Sequence, residues 1–76
     1  MDKNHSHSYK QLGLNIAYYR KSKGLSQNQL AEKIDISRTH MSRIETADCA
    51  VSLDIIFEIC KVLEIAPKQL FDFREM

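Results

Sequence analysis

The sequence holds a single proline, two glycines and no tryptophan. Nowhere does it alternate apolar and polar residues as a half-buried strand would. With few chain breakers and no strand pattern, an all-α fold is expected. Cysteine is equally scarce. Cys49 and Cys60 are too few for a secreted disulfide scaffold and lack metal-ligand spacing. No stretch approaches the ~18 apolar residues of a membrane span, and no charged-then-apolar signal segment opens the chain. A cytoplasmic protein with no membrane partner is the expectation. Nothing supports an enzyme: there is no nucleophile-base pairing, phosphate loop or metal set, and a small helical core has little room for a pocket. No cofactor, metal or small-molecule effector is indicated.

What is present bounds the answer further. Seventy-six residues make one domain, with a core marginal enough that burial against a partner often helps. The net charge is only +1, but it is unevenly spread. Residues 1–50 carry eight Lys and Arg against five Asp and Glu, and residues 51–76 carry three against five. A basic half and an acidic half fit a preferred side toward phosphate, and they equally fit chance in a short chain.

Residues 1–8 are read as a flexible polar tail, 9–73 as the folded domain and 74–76 as its end. The first helix is expected over residues 9–23, with Leu12, Ile16 and Tyr19 on one face and Gly24 closing it. Ser26 and Gln29 have the spacing of a capping box, so a second helix starts at Gln27 and turns Leu30, Ala31 and Ile34 inward. Asp35 tolerates a left-handed turn, and Ser37 can cap a third helix over residues 38–45. Met41 and Ile44 give that helix one narrow buried stripe, leaving Arg38, Thr39, Ser42 and Arg43 outside. Ser52 is the expected cap of a fourth helix, and Pro67 occupies the first position of a fifth that carries Leu70 and Phe71.

Two short helices joined by a tight turn, the second polar on its outward side, have the form of a helix-turn-helix. In that arrangement a recognition helix enters the major groove while its partner crosses the backbone. The order LG-x-x-I-x-x-x-R (Leu12, Gly13, Ile16, Arg20), GLSQ-x-x-LA-x-x-I (residues 24–34), S-x-x-x-[MI]-S-x-I-E (residues 37–45) and SL-x-x-[IL] from Ser52 resembles the Xre/Cro family of phage-repressor-like DNA-binding domains. The resemblance covers residues 9–73. It implies a five-helix lambda-repressor-like fold with the helix-turn-helix at helices 2 and 3, and double-stranded DNA as the partner.

By position in that family, Arg38, Thr39 and Arg43 would read base edges, with His40 and Ser42 flanking. The chemistry agrees, because Arg can bond bidentately to guanine and Thr can offer its methyl to thymine. The alternative is a merely solvated charged face. Gln27 resembles the family's phosphate-binding glutamine, placed at the positive end of a helix dipole. Asn28, Ser37, Lys10 and Lys23 are further phosphate candidates. Arg20 and Glu45 match the family's structural ion pair.

The chain also departs from the family. Asp35 and Ala47 stand where glycine is usual, Val51 replaces a usual proline, and the loop 46–50 lacks basic residues. Helix 4 is unusually apolar. Leu53, Ile56, Phe57, Cys60 and Leu63 are expected to face the core, while Ile55, Ile59 and Val62 widen the arc. Part of that excess, with Phe71 and Phe73, is expected to form a homodimer surface unless helix 5 covers it. His5 and His7 are read as solvated, Cys60 as a core residue and Cys49 as exposed. The function expected is sequence-specific regulation of transcription, most simply repression, on an inverted repeat. A DNA-free interaction module or an antitoxin is the competing class.

Overall fold

Serine and proline punctuation divides residues 3–73, which a computed structural model of the protein describes, into five α-helices. After a short 3-10 turn at Lys3–His5 come α1 (Ser6–Ser22), α2 (Gln27–Lys33), α3 (Arg38–Glu45), α4 (Leu53–Leu63) and α5 (Pro67–Leu70). Ser26, Ser37 and Ser52 each accept a hydrogen bond from the backbone N–H three residues on, so α2, α3 and α4 all begin at a serine cap. At α2 the box is complete, with the Gln29 side chain accepting from the Ser26 N–H at 2.8 Å.

The helices also stop in a shared way. In α1 to α4 a backbone N–H reaches back five residues to a carbonyl of the last turn: Leu25 to Arg20, Ile36 to Ala31, Asp48 to Arg43 and Ile65 to Cys60, at 2.8 to 3.1 Å. This closure needs a left-handed residue. Gly24 supplies it once, whereas Asp35, Ala47 and Glu64 adopt φ of 62°, 63° and 58° with a Cβ in place. Each of those three sites carries a conformational cost that glycine would avoid.

Leu12 and Ile16 of α1, Leu30 and Ala31 of α2, Met41 and Ile44 of α3, Ile56, Ile59, Cys60 and Leu63 of α4, and Leu70 form one core. α3 is wedged between α2 and α1. Gly13 permits the second contact, because an added Cβ would collide with the carbonyl groups of Glu45 and Ile44. From α1, the Asn15 carboxamide donates to the Leu70 carbonyl at 2.8 Å and to that of Asp72 at 3.3 Å. That bond satisfies acceptors which a four-residue helix leaves open at its end. Burial pushes the Cys60 thiol above its ordinary range, as suits a core residue.

Three expectations are corrected. Residues 6–8 belong to α1 and are not a tail: Ser6 and Ser8 are half-buried, so tertiary packing orders a stretch with no apolar signal of its own. Residues 1–2 of the expected tail, and residues 74–76 expected as the end of the domain, lie outside the described residues. Cys49 is half-buried against the core, not exposed. The third concerns α4, whose buried arc is rotated from the expected one. Ile59 is fully buried, while Leu53 and Phe57 stand 63% and 53% exposed. A wide apolar arc does not itself say which edge its neighbours will cover. Among the described residues, no helix is long and apolar enough to cross a membrane.

Candidate nucleic-acid interface

α3 is too short to persist on its own propensity, so its position is set by its anchors. Met41 and Ile44 are fully or almost fully buried, and the Ser37 hydroxyl accepts from the His40 N–H at 3.0 Å at its start. At its end Glu45 is 8% exposed and meets Arg20 in a two-pronged ion pair. Arg20 Nε donates to Oε2 at 2.7 Å and Nη2 to Oε1 at 3.0 Å. The remaining arm, Nη1, donates to the Leu25 carbonyl at 2.8 Å. Two buried charges are therefore neutralised and fully hydrogen-bonded, tying α1 to the far end of α3.

On its outward side the helix differs in kind. Arg38, Thr39 and Arg43 are exposed, and His40 and Ser42 are half-buried. Spacings of four residues stack Arg38 over Ser42 and Thr39 over Arg43 as neighbouring rows on one surface. Among the described residues neither arginine enters an ion pair. The fold thus spends none of this cationic, hydrogen-bonding surface on itself.

The other phosphate candidates are distributed unevenly. Gln27 lies at the first position of α2 and is half-buried, its Nε2 donating to Glu45 Oε1 at 2.9 Å. Asn28 is exposed and donates to Glu32 at 2.9 Å. The Ser37 hydroxyl is engaged as an acceptor in its cap, leaving its O–H able to donate outward. Lys10 is exposed on α1, and Lys23 approaches Glu64 at 3.9 Å, a contact long and wet enough to be weak. The loop after α3 adds no positive charge; Thr46 Oγ1 shares its one proton between the Ser42 carbonyl of α3 and Asp48 in the loop.

Among the five residues expected at a dimer surface, Ile59 is wholly inside the core and drops out. Ile55, Val62 and Phe73 are half-buried against that same core, and Phe71 is exposed. Leu53 and Phe57, one turn apart on α4, are the exposed apolar side chains of that helix instead. Leu53, Phe71 and Phe73 border an apolar groove of about 370 Å³ whose floor includes Leu12 and Ile56. Reading the sequence missed Leu53 and Phe57 because both fit the core stripe equally well on a helical projection. Among the described residues, no three His, Cys, Asp or Glu side chains group as a metal site.

Comparison with known proteins agrees with this geometry. A family model described as helix-turn-helix matches residues 16–70. Control protein C.BamHI of Bacillus amyloliquefaciens is 44% identical over 62 residues, covering 80% of this chain and 76% of that protein. Restriction-modification controller protein C.AhdI from Aeromonas hydrophila superposes with a TM-score of 0.85 at 31% identity, over 90% of this chain and 99% of that one. SinR, a master regulator for biofilm formation solved in complex with DNA, superposes with a TM-score of 0.73 at 32% identity, over 80% of this chain and 98% of its own. These relatives are regulators and not enzymes. The chain belongs to the Xre/Cro family of helix-turn-helix DNA-binding regulators.

Proposed function

We propose that this protein acts in the cytoplasm as a homodimeric transcriptional regulator, most simply a repressor, on an inverted-repeat operator. α3 enters the major groove, where Arg38, Thr39 and Arg43 read base edges with His40 and Ser42 beside them. α2 crosses the backbone, bringing Gln27 and Asn28 to phosphates, and Ser37, Lys10 and Lys23 add weaker backbone contacts. The observation that carries the reading is the contrast within α3, where a helix anchored on one side leaves its cationic side unused. Likeness to one restriction-modification controller protein, and to a second protein named as a control protein, supports the control of a restriction-modification system as the role here.

The dimer surface is re-registered to Leu53, Phe57 and Phe71, flanked by Ile55, Val62 and Phe73. A second copy on this apolar surface would set two recognition helices about 34 Å apart, one turn of duplex. Selection from a random duplex pool tests the whole reading. Enrichment of an inverted repeat with half-sites one turn apart is expected; recovery of no common sequence would contradict it.

A further inference from the structure

Glu45 Oε1 accepts two hydrogen bonds, one from the buried Arg20 and one from the half-buried Gln27. The first is expected of a structural ion pair. The second is not needed for that purpose, since both Glu45 oxygens are already bonded to Arg20. It joins positions 18 residues apart, the start of α2 and the end of α3. We propose that Glu45 is a positioning residue for DNA binding: it grips one N–H of the Gln27 amide so that the other is held toward a DNA phosphate. This rests on the reading above, in which α2 crosses the backbone.

A glutamine at a surface samples many rotamers, and fixing it on binding costs conformational entropy. An acceptor already bonded to the amide removes part of that cost beforehand. A bare carboxylate so near a phosphate would repel it, and the two-pronged pairing with Arg20 neutralises the carboxylate. Arg20 is itself fixed by the Leu25 carbonyl just ahead of α2, so the three side chains form a rigid series from core to surface. No buried side-chain nitrogen or oxygen lacks a partner among the described residues, so the series is complete up to the outward atoms of Gln27.

The test is a coupling measurement on a fluorescein-labelled duplex at fixed salt, with each variant shown to be folded by circular dichroism at the assay temperature. Gln27→Met removes the donor and should weaken binding about tenfold. Arg20→Met with Glu45→Met replaces the buried pair by apolar side chains, a change that folds often tolerate. In the Gln27 background this pair of changes should weaken binding several-fold; added to Gln27→Met it should cost nothing more. Equal losses in both backgrounds would overturn the positioning role alone. Unchanged binding on Gln27→Met would overturn the phosphate contact beneath it. A second readout needs no change to the ion pair. In the native chain, nuclear magnetic resonance should show the Gln27 side-chain amide proton that faces away from Glu45 moving much more than its partner as duplex is added. Equal movement of both would contradict the proposal.

Discussion

α3 and α4 are built by the same local rules and turn opposite surfaces outward. Each starts at a serine cap, ends on a left-handed residue other than glycine, and buries one side in the common core. Outside, α3 presents Arg38, Thr39 and Arg43, while α4 presents Leu53 and Phe57 beside the charged Asp54, Glu58 and Lys61. Capping and core burial therefore explain the helices but not their outer faces, which the fold does not require. A cationic, hydrogen-bonding face suits phosphates and base edges; an apolar one suits another protein surface. The shortage of positive charge in the loop after α3 sharpens the contrast, since on the proposed reading it leaves that helix to supply most of the specificity.

Four changes would break or sharpen this comparison. The largest effect belongs to the anchor of α3. Glu45→Ala strands the buried Arg20 charge and should cost about 3–5 kcal/mol in urea denaturation. Next, Leu53→Lys with Phe57→Glu should leave a folded monomer in sedimentation at tens of micromolar, with chain stability changed by little more than ~0.5 kcal/mol. Its affinity for an inverted repeat should fall about a hundredfold as the half-sites uncouple. A dimer surviving that change would move the interface elsewhere. Glu64→Gly should relieve the left-handed end of α4 and raise stability by about 1 kcal/mol, read as a higher melting temperature. Smallest of all, Lys23→Ala should change stability by less than ~0.5 kcal/mol, because its partner Glu64 is distant and wet.

How much could be read beforehand follows from the range of the interactions involved. The bounds of α2 and α3 were legible because serine caps act over three residues, and Pro67 marked α5 in the same way. The left-handed turns at Asp35 and Ala47 were visible as departures from a glycine-bearing pattern, and the Arg20–Glu45 pair through the resemblance. Contacts between distant segments were not legible. Ser6 and Ser8 look like a polar tail until α1 packs over the neighbouring helices. Asn15 gives no hint that it will hold the end of α5, 55 residues away. Nor does Gln27 announce Glu45 as its acceptor. On α4, Ile59 and Phe57 are equally apolar, and only the approach of neighbouring helices decided which went inside.

Arg38 offers the most direct measurement of the central claim, that the outer face of α3 reads sequence. The dissociation constants of the native protein and of Arg38→Ala should be compared at one salt concentration, on a selected operator and on random duplex. A bidentate base contact predicts a loss of about 1–3 kcal/mol on the operator and a much smaller loss on random DNA. Equal weakening on both would make Arg38 a phosphate or field contact and contradict direct reading by this helix.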